Sequence, residues 1–177
     1  TTPHNIPFVV LGAGLLWFGW FGFNAGSGLA ADGLAASAFL VTHLATATAA
    51  FTWAIMDWIF HRMPSTVGIA TGAVAGLVAI TPAAGFVGIG GAIAIGVIVS
   101  LVCFFAVSHI KPKLGYDDTL DAFGVHGVGG IIGAVATGIF ATPAIQGAYS
   151  GLLSGNPKQL LIQLLATGVT LVYSGVI

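Results

Sequence analysis

Residues 86–108, FVGIGGAIAIGVIVSLVCFFAVS, form one apolar run without a charged residue. A helix needs about 20 such residues to cross a bilayer, and this run is long enough. A transmembrane barrel would instead alternate apolar and polar residues over segments of roughly 10 residues. The run therefore predicts an all-α protein that crosses a membrane.

The composition of the whole chain also indicates a membrane protein. Of its 177 residues, 57% are apolar and 5% are charged, and the mean hydropathy is +1.05. Soluble domains carry about 25% charged residues, and disordered chains combine low hydropathy with high charge, so both classes are excluded. Scattered cations exclude a basic nucleic-acid-binding patch, and Cys103, the only cysteine, excludes a disulfide scaffold.

Apolar runs separated by short polar segments predict six membrane-spanning helices. The chain contains 27 Gly and 7 Pro, which membrane helices tolerate and use for close packing. The predicted spans are 6–27, 34–60, 66–81, 86–108, 119–141 and 159–177, of which the third is the shortest.

The basic residues predict the orientation of the chain. Six spans place both chain ends and the 109–118 segment on one side, which carries three of the four Lys and Arg residues. Because cytoplasmic loops are enriched in these residues, we expect residue 1 to be cytoplasmic and the 142–158 loop to lie outside. Pro112 and Gly115 predict an irregular 109–118 segment. The cytoplasmic basic residues are Arg62, Lys111 and Lys113, with Lys158 opposite.

Polar residues mark where the helices begin. Ser65 is a candidate N-cap for the third span, and Asp117, Asp118 and Thr119 are candidates for the fifth. Asp121 is predicted to lie in the first turn of the fifth span, where the helix dipole favours a carboxylate.

The segment 121–133, DAFGVHGVGGIIG, places an ionisable side chain inside the fifth span. A charged group within a span costs about 2.5–3.5 kcal/mol on insertion scales. A neutral imidazole avoids that cost and offers one donor and one acceptor. His126 is therefore a candidate proton relay or solute ligand, and the alternative is a packing histidine bonded to a neighbouring helix. The surrounding glycines predict close helix packing.

The first span carries aromatic residues near its predicted outer end. Trp20, Phe23 and Ser27 are spaced at i, i+3 and i+7, which places them on one helix face. Aromatic rings attract cations, and a serine hydroxyl accepts a hydrogen bond from a donor. An interfacial aromatic belt is the alternative interpretation, and spacing alone favours it.

The remaining ionisable residues of the spans suit structural roles. His43 is interpreted as a hydrogen-bonded packing residue. Asp57 is interpreted as a partly hydrated carboxylate that can pair with His61 four residues later.

Enzyme motifs are absent from the sequence. Ser27 lacks a Gly-x-Ser-x-Gly context, Tyr116-Asp117 lacks the second motif of an intramembrane aspartyl protease, and no phosphate-binding loop occurs. His, Cys and Asp residues show no metal-ligand spacing. We therefore expect no enzymatic activity, no metal and no other cofactor.

Three motifs in this order resemble the ammonium transporter (Amt/Mep/Rh) family, and its Amt branch in particular. They are GWFGFNAGS at 19–27, TPAAG at 81–85 and DAFGVHG at 121–127. The resemblance covers essentially the whole chain and implies the sixth to the eleventh helix of an 11-helix fold, built from inverted repeats and assembled as a trimer. Residues 1–177 would then be one transmembrane domain, half of a larger one. An unflanked end at Ile177 and the lack of an initiator Met agree with a fragment.

The resemblance implies a role for each matching residue. Phe23 would be the inner of two stacked rings that close the pore from outside, and Ser27 would line the ammonium recruitment site. Trp20 would line the pore below these rings. His126 would be the second of two hydrogen-bonded pore histidines, with its partner in the other half. The residues with an implied supporting role are Asp121 and Asn24.

The implied function is transport, in which ammonium is recruited outside, loses its proton and crosses as ammonia. A second hypothesis is a non-conducting ammonium sensor coupled to a cytoplasmic signalling module. A third is a scaffold without a solute, against which His126 and the three motifs argue. The implied partners are ammonium, with methylammonium as a further candidate, other copies of the chain in a homotrimer, a PII-type regulator at the cytoplasmic face, and the lipid of the cell membrane.

Overall fold

The computed structural model describes residues 3–177, which form helices and no strand. The prediction of an all-α membrane protein is confirmed: five helices in this range are long and apolar enough to cross a membrane, and a sixth apolar helix is shorter. We number them α1 (Ile6–Asn24), α2 (Gly33–His61), α3 (Thr66–Ile80), α4 (Ile89–Leu114), α5 (Phe123–Phe140) and α6 (Pro157–Val176).

Side-chain caps begin the first three helices. Asn5 accepts the backbone N–H of Phe8 at 3.1 Å, and Asp32 accepts that of Ala35 at 3.0 Å. Ser65 accepts a bond of 2.9 Å from the N–H of Gly68, which confirms the predicted cap of α3. Each bond pairs a backbone N–H group in the first turn of a helix, where no carbonyl group of the helix itself is available to accept it.

The short helix α3 lies in the core because its small residues allow neighbouring backbones to approach. A methyl group on Gly76 would lie 2.8 Å from the carbonyl oxygen of Ala45 in α2. A methyl group on Gly133 of α5 would overlap the carbonyl group of Ala79 in α3. Helix α3 therefore packs tightly between α2 and α5, whereas α1 and α6 contain no buried residue.

Helix α4 extends further than predicted. A π-helical segment, Ala106–Ile110, leads into a last α-helical turn that ends where Gly115 adopts a left-handed conformation with φ 66°. The expectation of an irregular 109–118 segment is thus wrong as far as Leu114. The reason is that Pro112 falls at the second position of the new turn, where its missing N–H is not needed.

Helix α5 begins later than residue 119, the predicted start. Asp118 accepts the backbone N–H groups of Phe123 at 3.2 Å and Gly124 at 3.0 Å, which confirms it as a capping residue. Asp121 has a left-handed backbone with φ 54° and precedes the regular helix. Its predicted place in the first helical turn is therefore wrong, because Asp118 caps the helix from further back.

The loop between α5 and α6 folds back onto the α3–α4 corner. The N–H of Thr142 donates to the carbonyl oxygen of Phe86 at 2.9 Å, and the rings of Phe86 and Tyr149 meet edge to face at 5.3 Å. This loop closes the end of the bundle that is predicted to face outward.

Candidate functional site

One side of α1 is lined by three open cavities that follow one another along the helix. The outer cavity, about 350 Å³, includes Phe23 and Ser27 in its wall. The middle cavity, about 330 Å³, includes Leu16, Trp20 and Phe23. The inner cavity, about 270 Å³, includes Leu16 and His126. Phe23 lines both the outer and the middle cavity, and Leu16 lines both the middle and the inner one, so the three cavities adjoin along α1. Together they are called the α1 groove.

Trp20 is held in the middle cavity by the second sequence motif. Its indole Nε1 donates a hydrogen bond of 2.8 Å to Oγ1 of Thr81, which in turn donates to the carbonyl oxygen of Leu77 at 2.7 Å. The ring of Trp20 meets that of Phe23 edge to face at 6.0 Å. The end of α3 therefore fixes the orientation of an aromatic side chain on α1.

Phe23 and Ser27 meet at the outer end of the groove. The Oγ of Ser27 donates to the carbonyl oxygen of Phe23 at 2.6 Å, and Phe23 is 60% exposed. Regular helix ends at Asn24, so Ser27 lies in the following 3-10 turn rather than on a continuous helix face. The turn still places Ser27 in the outer cavity beside Phe23.

Asn24 joins α1 to α2. Its Nδ2 donates to Oγ1 of Thr42 at 3.0 Å, and Thr42 donates onward to the carbonyl oxygen of Ala38 at 2.6 Å. Thr42 is fully buried. Asn24 also lines the outer cavity, so this chain of bonds fixes one wall of the site.

His126 lies at the inner end of the groove, within the π-helical segment Phe123–Gly127. Single π-helical turns inside α-helices frequently occur at functional sites. The imidazole is exposed to the inner cavity and takes part in no hydrogen bond of residues 3–177. Within residues 3–177, His126 is therefore not a packing histidine that is hydrogen-bonded to a neighbouring helix.

A cluster of charged residues supports the beginning of α5. The Nζ of Lys111 lies 2.6 Å from Oδ1 of Asp121 and 2.6 Å from the carbonyl oxygen of Asp118. Burial acts to raise the pKa of Asp118, but the N–H groups of Gly124, Phe123 and Ala122 outweigh it and hold this pKa below its usual value. The end of α4 is thus tied to the segment that carries His126.

Two further ionisable residues lie outside the groove. Asp57 is buried, 4% exposed, and accepts bonds from the Oγ of Ser65 at 2.7 Å and from His61 at 3.2 Å. The predicted pairing with His61 is confirmed, and the expected hydration of Asp57 is wrong because Ser65 covers it. His43 is exposed and packs on the ring of Trp17 at 5.3 Å without a hydrogen bond, contrary to expectation.

Some residues of the site were not apparent as such in the sequence. Thr81 belongs to the TPAAG motif but was assigned no role of its own, and Thr42 carries no motif. Gln146 lines the outer cavity from the distant α5–α6 loop. No signal in the sequence could have found Gln146, since its position depends on how the loop folds back.

Other features of the structure suggest no chemistry. A cavity of about 680 Å³ is an open apolar surface of α6 around Leu164 and Val172. No group of three His, Cys, Asp or Glu side chains within residues 3–177 is placed to hold a metal ion. The α1 groove is therefore the candidate site.

Comparison with known proteins relates the whole chain to one family. The model of the Ammonium Transporter Family matches residues 1–177. An ammonium transporter of Aquifex aeolicus is 57% identical over 175 residues, which are 99% of this chain and 41% of the relative. The chain thus spans about two fifths of the length of the curated relatives that it matches.

Solved structures show the same fold. The crystal structure of Saccharomyces cerevisiae Mep2 is 42% identical, has a TM-score of 0.89, and is matched over 96% of this chain and 42% of that one. A structure described as a sensor Amt protein is 36% identical with a TM-score of 0.85, over 94% of this chain and 40% of that one.

Proposed function

Since the chain belongs to the ammonium transporter family, we propose that its α1 groove is one wall of a pore that recruits ammonium and passes ammonia. The observation that carries this proposal is the row of adjoining cavities that leads from Ser27, past Phe23 and Leu16, to His126. The opposite wall would come from sequence outside these residues, within an 11-helix domain of which residues 1–177 form one half.

The outer cavity suits recognition of a small cation with N–H donors. The hydroxyl of Ser27 donates its hydrogen to the carbonyl oxygen of Phe23. The lone pairs of the Ser27 oxygen therefore remain able to accept a hydrogen bond from ammonium. The exposed ring of Phe23 adds cation–π attraction. In the complete protein, Phe23 would also act as the inner of two stacked rings that close the pore.

The middle cavity suits a neutral solute better than an ion. Its wall consists of Leu15, Leu16, Gly19, Trp20 and Phe23. The indole N–H of Trp20 already donates its hydrogen bond to Thr81. A cation that gives up its hydration here would find no acceptor, which is expensive inside a membrane. Ammonium therefore gives up its proton to water in the outer cavity before this point, and ammonia continues.

At the inner end, His126 presents its imidazole to the passing solute. Ammonia can donate to the ring nitrogen that faces the cavity or accept from it, depending on whether that nitrogen carries the hydrogen. We propose that His126 pairs with a second histidine from outside residues 1–177, and that the pair carries the proton. Asp121 and Asn24 support this arrangement through Lys111 and Thr42.

A sensor is the second candidate function, and the likeness to the sensor Amt structure favours it. A sensor would keep the recruitment site at Ser27 and would bind ammonium without conducting it. We further propose a homotrimer in the cell membrane with residue 1 in the cytoplasm, no enzymatic activity, and a PII-type regulator docking on the cytoplasmic loops. Methylammonium is a candidate second substrate.

The test is an electrical measurement on the complete protein in liposomes on a solid-supported membrane. An ammonium concentration jump should give a saturable current, and a potassium jump should give none. Ser27→Leu should weaken the ammonium response, whereas the matched change Ser174→Leu on the exposed end of α6 should not. Ammonium binding that Ser27→Leu abolishes, without any current, would favour the sensor. A protein that shows no ammonium current and no ammonium binding would contradict both functions.

A further inference from the structure

We propose that the side-chain carbonyl of Gln146 is an ammonium ligand of the outer cavity, which Ser27 and Phe23 also line. This inference rests on the proposed function and adds a residue from a different part of the chain. Gln146 lies in the loop after α5, far in sequence from the motif that contains Ser27.

The loop that carries Gln146 is held firmly against the cavity. Thr142 bonds to the carbonyl oxygen of Phe86, and Tyr149 packs against the Phe86 ring. The N–H of Tyr149 also donates to the backbone oxygen of Gln146 at 2.9 Å, which closes a turn around that residue. Since Phe86 and Gly85 themselves line the outer cavity, these contacts keep Gln146 at its wall.

The side chain of Gln146 contains an unused acceptor. Its Oε1 is buried and has no hydrogen-bond partner, a state shared within residues 3–177 only by Nε1 of Trp17. Buried polar side-chain atoms are paired in the large majority of cases, because an unpaired one loses its bonds to water. Trp17 can only donate and lines none of the three cavities. Of these two buried atoms, only Oε1 of Gln146 therefore offers the groove an acceptor without a partner.

Ammonium supplies what this oxygen lacks. The cation is surrounded by N–H donors and needs several acceptors to replace its hydration, whereas Ser27 and the ring of Phe23 provide only part of that shell. The terminal torsion of a glutamine is broad. The amide can therefore turn its oxygen into the cavity, and it breaks no bond of that oxygen in doing so. A hydrogen bond to an ionised donor is about twice as strong as a neutral one.

The competing explanation is a bound water molecule, which would satisfy Oε1 without contributing to ammonium binding. The test is the half-saturating ammonium concentration of the current, or of binding if the protein does not conduct. Gln146→Met removes the acceptor and keeps the length of the side chain. Gln146→Glu keeps an oxygen at the same place. Gln163→Met makes the same chemical change on α6, in a different cavity.

We expect Gln146→Met to raise the half-saturating ammonium concentration about tenfold, as loss of a hydrogen bond to a charged partner implies, with the maximal response preserved. Gln146→Glu should lower this concentration below that of the wild type, because a carboxylate oxygen at the same place attracts the cation more strongly, and Gln163→Met should leave it unchanged. If Gln146→Met does not reach the membrane, Gln146→Glu decides alone: a lower value supports the inference, and an unchanged or higher value overturns it.

Two results separate this inference from the proposed function. A wild-type protein that responds to ammonium, with equal half-saturation in Gln146→Met, would leave the function standing and assign Oε1 to water. A reduced maximal response at unchanged half-saturation would give Gln146 a purely structural role, and it would also overturn the inference. A wild type that neither conducts nor binds ammonium would refute the proposed function itself.

Discussion

The indole nitrogen of Trp20 and the hydroxyl oxygen of Thr81 are joined by a hydrogen bond of 2.8 Å across 61 residues of sequence. The bond connects the first helix to the end of the third and fixes a ring that lines the middle cavity. It also leaves Trp20 without a free donor for a passing solute. The orientation of Trp20 in the groove wall thus depends on Thr81, which lies outside the 19–27 motif.

Thr81→Val should release Trp20. Loss of the bond costs about 0.5–1.5 kcal/mol, so we expect a severalfold lower ammonium current with normal membrane insertion. Thr81→Ser should restore the current, and Thr170→Val, which changes an exposed threonine of α6, should not alter it. An unchanged current in Thr81→Val would mean that packing alone holds Trp20.

His126→Ala should remove the proposed proton relay. We expect loss of the ammonium current, or loss of discrimination against potassium if water fills the inner cavity. The measurement is the ratio of ammonium to potassium currents, with His43→Ala as the control because His43 lies outside the groove. Selective transport that survives in His126→Ala would exclude a relay through this residue.

Gly133→Ala should destabilise the bundle, because the added methyl group would overlap the backbone of Ala79. Overpacking of this kind costs about 1–3 kcal/mol. Thermal unfolding in detergent should show a lower midpoint. Gly130→Ala is the matched control on the same helix, since open space surrounds that position. Equal midpoints for the two variants would show that α3 and α5 can move apart without cost.

Lys111→Met and Asp121→Asn should each disturb the beginning of α5, because the two side chains are in contact at 2.6 Å and both are partly buried. We expect each single change to lower the ammonium current, and the double change to be no worse than either single one, as for a coupled pair. Lys113→Met serves as the control, since Lys113 is exposed. Additive losses would indicate that the two residues act independently.

The stability of the α5 beginning should depend on pH through Asp118, whose folded pKa lies below the ordinary value of 3.8. A carboxyl group with a lowered folded pKa stabilises the fold above its unfolded pKa and loses that contribution as the pH falls through the folded one. The thermal unfolding midpoint of the wild type should therefore fall below about pH 4. The midpoint of Asp118→Asn should fall less over the same pH range. Asp117→Asn, at a neighbouring residue that caps no helix, should behave like the wild type.

Much of the fold could be predicted because membrane spans are local properties. The predicted second span, 34–60, differs from α2 by one residue at each end. Errors occurred where the detailed geometry of a helix end decides the boundary. Helix α5 begins at Phe123 because Asp118 caps it from outside, and α4 continues to Leu114 because a π-helical segment places Pro112 early in a new turn.

The candidate site was predicted in part for a similar reason. Trp20, Phe23 and Ser27 are close in sequence, and the structure places Phe23 beside each of the other two. Ser27 lies in a 3-10 turn and not on the predicted helix face. His126 was singled out because an ionisable residue within a span is costly. The placement of His126 in the same groove as Ser27 required the packing of α1, α3 and α5.

By itself, the sequence determined the class of protein and the family, because apolar length and motif order are properties of the chain alone. Only the tertiary structure decided which side chains meet across helices: Trp20 with Thr81, Lys111 with Asp121, and Gln146 with the outer cavity. These contacts depend on how closely glycine-rich helix faces approach each other, and that distance is set by packing in three dimensions.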